Sequence, residues 1–122
     1  MSEELKFDRI TQGQLWEIVT DGFLTSGRNN KYKRPVGLRK HEILEIRYPY
    51  EWHFRTEDNH YFHATPDMIL ENCEPFGNII EHVRWNNEAN LEEILRLRLY
   101  TGRNIHEVLK KRETIKRLEE GK

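Results

Sequence analysis

The sequence predicts an α+β fold: a small antiparallel β-barrel over residues 1–87, followed by two α-helices in a C-terminal extension over residues 88–122. Three observations predict it. Residues 13–85 break into short runs of strand-forming residues separated by turn signals. Residues 87–120 carry helical periodicity with asparagine caps. The chain is 122 residues long, 36% hydrophobic and 34% charged, which leaves room for one small core.

The elements follow in order. Gln14–Thr20 (QLWEIVT) is rich in strand formers, and Asp21-Gly22 turns the chain into a short second strand, Phe23–Thr25. Ser26–Leu38 holds two glycines, a proline, two asparagines and four cations, the composition of a long polar loop. Ile43–Tyr48 (ILEIRY) is the next strand, and Pro49 ends it or puts it at an edge. A hairpin joins Glu51–Thr56 to His60–Ala64 through Asp58-Asn59. As a two-residue turn it pairs Thr56 with Tyr61 and Phe54 with His63. That register puts Trp52, Phe54, Tyr61 and His63 on one face, and His53, Arg55, His60 and Phe62 on the other.

Thr65-Pro66-Asp67 starts a short helix, Pro66–Asn72, which Pro75 and Gly77 close. Asn78–Trp85 is the last strand. Asn90 caps a helix over Leu91–Tyr100 that Gly102 ends, and Asn104 caps a second over Ile105–Glu119 that ends before Gly121. Five short strands with a helical turn before the fifth resemble an SH3-like barrel. The apolar stripe of the last helix (Ile105, Val108, Leu109, Ile115, Leu118) is narrow and interrupted by Arg112, and an isolated helix of about 15 residues is marginal in water. It therefore packs on its own barrel or on the same helix of a second subunit, and a homodimer or higher homo-oligomer is expected.

Several function classes are excluded or disfavoured. No apolar run approaches the roughly 18–20 residues of a membrane helix, and the N-terminal segment lacks the apolar stretch of a signal peptide, so an intracellular, soluble protein without membrane partners is expected. Cys73 alone supports neither an internal disulfide nor a cysteine zinc site. It sits beside a helix C-terminus and Glu74, both of which raise a thiol's pKa, so it reads as a small buried hydrophobe. In the hairpin register above, His63 faces away from His53 and His60, so the three do not converge on a metal; a histidine pair with a distant carboxylate, in a hydrolase or metalloprotein, is the remaining alternative. There is no phosphate-binding loop, no dinucleotide fingerprint and no H-E-x-x-H. No catalytic residue, cofactor or metal is expected, and binding remains.

The 20 Lys plus Arg nearly balance 21 Asp plus Glu, but unevenly. Residues 22–47 hold seven cations and two acids, residues 48–90 two cations and eight acids, and residues 91–122 nine cations and six acids. A basic loop beside a basic helix makes an anion site. Aromatic faces stack bases and guanidinium groups clamp phosphates. Arg84-Trp85 and Tyr100–Arg103 bracket the first C-terminal helix at the junction with the barrel. With Arg28 of the basic loop and Lys111 and Arg112 of the last helix, they are the candidate ligand-binding residues. The competing expectation is an SH3-like module that grips nucleic acid or a host protein through the basic loop 26–40.

The segments EWHFRTEDNHYFHATPDMILENC, EPFGNIIEHVRWNNEANLEEIL and RNIHEVLKKRETIKR give a β-core followed by paired helices. In layout this resembles the Thoeris anti-defence sponge family of phages. The resemblance implies a non-enzymatic protein that sequesters a small nucleotide signal of the cyclic ADP-ribose type in the cytoplasm of a bacterial host. It also implies a ligand at the subunit interface, with an aromatic on the adenine and arginines on the pyrophosphate.

Overall fold

A computed structural model describes residues 5–27, 35–48, 53–81, 83 and 90–121. It is an α+β structure built on one eight-stranded sheet. The strands are β1 (Gln14–Ile18), β2 (Phe23–Gly27), β3 (Pro35–Leu38), β4 (Ile43–Tyr48), β5 (His53–Thr56), β6 (Tyr61–His63), β7 (Cys73–Ile79) and β8 (Tyr100–Gly102). The helices are α1 (Pro66–Asn72), α2 (Leu91–Arg96) and α3 (Ile105–Glu120). The order is β3-β2-β6-β5-β4-β1-β7-β8, and every pairing is antiparallel. The sheet is thus open, with β3 and β8 at its edges, where the sequence suggested a closed barrel of five strands.

Central β1 is buried along its whole length. Alternation sends its side chains into two layers. Leu15 joins Ile43, Phe76 and Ile79 in a cluster completed by Leu91, Ile94 and Leu95 of α2 and Ile105 and Val108 of α3. Trp16 and Ile18 join Leu44, Ile46, Phe54, Phe62, Phe23 and Cys73 on the opposite face, where Ile69 of α1 covers them. Phe54 and Phe76 are at most 1% exposed, and each such burial contributes about 1.5–3 kcal/mol. The C-terminal helices therefore share a core with the strands, and β8 extends the same sheet, so the segment after residue 88 is not a detached appendage.

The caps read from the sequence form as expected. Met68 N–H donates to Thr65 Oγ1, Glu93 N–H to Asn90 Oδ1 and His106 N–H to Asn104 Oδ1. Four other readings are corrected. First, part of the expected polar loop Ser26–Leu38 pairs as a hairpin, Phe23 with Leu38 through Ser26 with Pro35. Its composition is that of a loop, but Pro35 sits on an edge strand where no N–H is required. Second, the last strand of the β-rich region runs Cys73–Ile79 rather than Asn78–Trp85, with Glu81 and Val83 helical, so Pro75 and Gly77 lie inside the strand. Between Leu15 and Trp16 the β1–β7 register shifts, with Leu15 opposite Gly77 and Trp16 opposite Pro75. This is a bulge at Phe76 that accommodates the proline. Third, α2 stops at Arg96. Arg98 takes a left-handed conformation (φ 59°), Leu99 N–H donates to Ile94 O, and the chain returns as β8. A helix C-terminus commonly uses glycine for this reversal; here an arginine does it, and the sequence carries no signal.

The fourth correction is the hairpin register. Asn59 alone has a positive φ, 61°, and Thr56 N–H donates to His60 O. The loop therefore has three residues rather than two, and the pairs are Arg55–Tyr61, Phe54–Phe62 and His53–His63. A shift of one residue exchanges the faces of the second strand. Phe54 and Phe62 stack at 5.7 Å in the core, while the rings of His53 and His63 meet edge-on at 4.1 Å. The two histidines thus share a face, contrary to the expectation. Among the described residues no group of three metal-ligating side chains accompanies them. Trp52 and Pro49 lie outside the described residues.

Gly77 and Gly102 hold β7 and β8 together. A Cβ on Gly77 would lie 2.2 Å from Thr101 O, so the two backbones touch where a side chain would stand. Gly77→Ala is expected to lower the unfolding free energy by about 2–3 kcal/mol, measured as a fall in the urea midpoint. The exposed Gly22→Ala, at a positive φ but with open space around it, is expected to cost less.

Candidate functional site

Alternation also places an acid in the layer below α2 and α3. Glu17 lies two residues from Leu15 on β1, and its side chain is only 1% exposed. A buried carboxylate demands counter-charge or donors. Two side chains supply them. His41 Nδ1 lies 2.5 Å from Glu17 Oε2, and Arg103 Nη2 lies 2.7 Å from Glu17 Oε1. The arginine contact is ionic, without an aligned hydrogen bond, and the guanidinium rests 5.3 Å above the Phe76 ring.

His41 is the third residue of the tight β3–β4 connection and has a φ of 69°. Its N–H donates to Ile18 O at 2.7 Å. Its carbonyl accepts from Arg112 of α3 through Nε, at 3.1 Å, and Nη2. Arg112 also pairs with Glu57, whose Oε2 accepts from Ile43 N–H at 2.9 Å. One arginine thereby ties α3 to the β3–β4 turn and to the loop of the β5–β6 hairpin. Beside it Glu42 is 4% exposed and pairs with Arg39 at 2.8 Å. Burial first, and the Glu57 carboxylate second, hold Glu42 above the usual carboxylate range. The pull of Arg39 does not offset them, because that side chain is 77% exposed and its field is screened.

These contacts frame a cleft of about 410 Å³ between the Asp21-Gly22 turn, the Leu38–His41 turn and α3. Its lining includes Arg39, Lys40, Arg112 and Lys116 against Asp21 and Glu119, with the apolar residues Leu38 and Ile115 and with His41. Arg39 and Lys40 and the basic helix, far apart in the chain, meet here.

The residues singled out from the sequence divide. Arg112 lines the cleft. Lys111 is exposed on α3 and is not part of the described lining. Arg103 is committed to Glu17. Tyr100 stacks on Phe76 at 5.5 Å, and its hydroxyl accepts from Ile105 N–H and donates to Arg103 O. It therefore buttresses the start of α3 and is not placed to stack a ligand. Arg28, Arg84 and Trp85 lie outside the described residues. Sequence reasoning missed Glu17 and His41. The available signal was an acid inside an apolar strand, since QLWEIVT must bury Glu17 wherever it buries Leu15. Cys73 is buried, as expected, and its thiol is pushed up by desolvation first and by Glu17 second, rather than by Glu74.

Comparison with protein-family models, with curated proteins and with solved structures finds no match for this chain. The functional reading therefore rests on the site itself.

Two outcomes test this geometry. Arg103→Met leaves the Glu17 carboxylate short of counter-charge and is expected to cost about 3 kcal/mol in urea unfolding. Replacing Glu17 and Arg103 together by methionine is expected to cost less than the sum of the two single changes. For Glu42 the sign follows from its raised folded-state value. The folded protein binds the proton more tightly than the unfolded chain, so stability falls as pH rises from the ordinary carboxylate range through that higher value. Glu42→Gln is expected to flatten this part of the stability–pH profile, measured by urea midpoints between pH 4 and 8.

Proposed function

We propose that the protein is a non-enzymatic binder of a small anionic ligand of the nucleotide type, held in the cleft between the Leu38–His41 turn and α3. The observation that carries this reading is the convergence of Arg39, Lys40, Arg112 and Lys116 on one concave site. The cleft volume suits a small ligand. Arg112 is already held by Glu57 and the His41 carbonyl, which lowers the cost of ordering it, and Arg39 pairs with Glu42 at the rim. Lys40 and Lys116 make no ion pair among the described residues and remain available to a phosphate.

Sequestration of a cyclic ADP-ribose-type signal, as in the anti-defence sponges, extends this proposal. So do a cytoplasmic setting in a bacterial host, an SH3-like relationship for the strands, and assembly of α3 with a second copy. Among the described residues, no helix is long and apolar enough to cross a membrane. On α3, Ile105 and Val108 are buried while Leu109 and Leu118 are 44% and 66% exposed, which supports assembly through the outer half of that helix. The alternative of nucleic acid or a host protein gripped by loop 26–40 draws less support. Arg39 and Lys40, the cations of that loop among the described residues, border a concavity, whereas a duplex or protein surface is met by a broad exposed face.

Isothermal titration with pyrophosphate, ADP and cyclic ADP-ribose is expected to show saturable binding, weakened at least tenfold when Lys40 and Lys116 are both replaced by glutamate. Equal binding by the double variant would move the site elsewhere. Steeply salt-dependent binding of oligonucleotides, with no response to these small anions, would favour the nucleic-acid reading.

A further inference from the structure

Resting on the anion cleft proposed above, we infer that a second recess beside it receives the other end of the same ligand, and that this end is a nucleobase with an amino group. The recess, of about 360 Å³, lies between β3 and the β5–β6 hairpin. Leu38 and Arg39 line both the recess and the cleft. The two sites are therefore neighbours across one pair of residues. In a nucleotide a single sugar separates phosphate from base, so a molecule anchored by its phosphate in the cleft has its base within reach of the recess.

The two linings differ in chemistry. The cleft sets four cations against two acids. In the recess Glu42 and Asp58 offset Arg39 and His60, and Arg39 is already paired with Glu42 at 2.8 Å. Without an excess of positive charge the recess does not attract a second phosphate. It offers apolar surface instead. Phe62 belongs to the core cluster around Phe54, and the half-buried Val36 and Leu38 pack against that cluster. A flat ring seated here removes apolar area of both partners from water. The polar part of the lining favours a donor on that ring. The Thr56 hydroxyl donates to Asp58 Oδ1, and this bond above all holds the Asp58 carboxyl below the usual carboxylate range. Asp58 is therefore ionised at neutral pH and only accepts. Its other oxygen lies 3.6 Å from His60 Nδ1, and the side chain is 61% exposed. A carboxylate has about four acceptor sites, so capacity remains beyond the Thr56 bond. The exocyclic amino group of adenine, guanine or cytosine supplies a matching donor on a flat ring. A sugar phosphate without a base has no such ring.

The test compares AMP with ribose 5-phosphate, which differs from it only by the base, in isothermal titrations of the full chain. AMP is expected to bind about tenfold more tightly. Asp58→Asn is expected to weaken AMP about fivefold and to leave ribose 5-phosphate unchanged. Val36→Trp, which fills the recess from the edge strand, is expected to bring AMP down to the affinity of ribose 5-phosphate. A readout that needs no variant comes from the methyl signals of Val36, which lines the recess and not the cleft. They are expected to move with AMP and to stay in place with ribose 5-phosphate. Equal affinities for the two ligands in the wild-type protein, or an AMP affinity that neither variant lowers, would overturn the base recess while leaving the cleft as an anion site. No binding of either ligand would instead remove the cleft itself.

Discussion

A buried acid on the central strand is the constraint on which the rest of this structure depends. β1 is covered on both faces, so alternation gives Glu17 the same dry environment as Leu15. A lone carboxylate there would cost several kcal/mol. The fold meets that cost by bringing His41 from the β3–β4 turn and Arg103 from the start of α3 to its two oxygens. Each partner is fixed in turn by backbone contacts, so three segments distant in sequence are pinned around one side chain.

The same logic repeats one layer outward. Arg112 bonds the His41 carbonyl and Glu57 together, and Glu57 bonds the N–H that opens β4. On the neighbouring strands Glu45 is flanked by Arg47, at 3.1 Å, and Arg55. This face of the sheet thus carries buried ion pairs beside its apolar cluster. Its apolar half closes the core around Phe76, and its ionic half sets the position of α3 against the turn. The aspect of the chain that looked like poverty of core, the high share of charge, is in part a set of buried pairs.

Function, on the reading proposed above, is a by-product of this arrangement. A cleft lies where α3, pinned by Arg112, runs past the turn that delivers His41. The arginines nearest to it are held by carboxylates and the lysines are not. Cations converging on one concave site, one of them held in place by Glu57, are what a small anion requires. The two basic blocks of the sequence acquire a common purpose only because Glu17 draws their neighbours together.

The sequence by itself determined much of the local structure. Thr65, Asn90 and Asn104 cap helices where their side chains predict, because a cap needs only a short polar side chain and a following helical run. The α+β class, the burial of Cys73 and the clustering of cations were legible for the same reason: each depends on residues close in the chain. Tertiary structure decided the rest. The β5–β6 register turned on one extra loop residue and the left-handed Asn59, and that shift brought His53 and His63 to one face. Arg98 ended α2 without a glycine, and the backbone contact of Gly77 with Gly102 made β8 a strand rather than the end of a helix. The meeting of Glu17 with His41 and Arg103 was equally hidden. Strand periodicity says that a residue is buried, but which charges reach it depends on sheet order and helix placement, which are long-range contacts that no local pattern encodes.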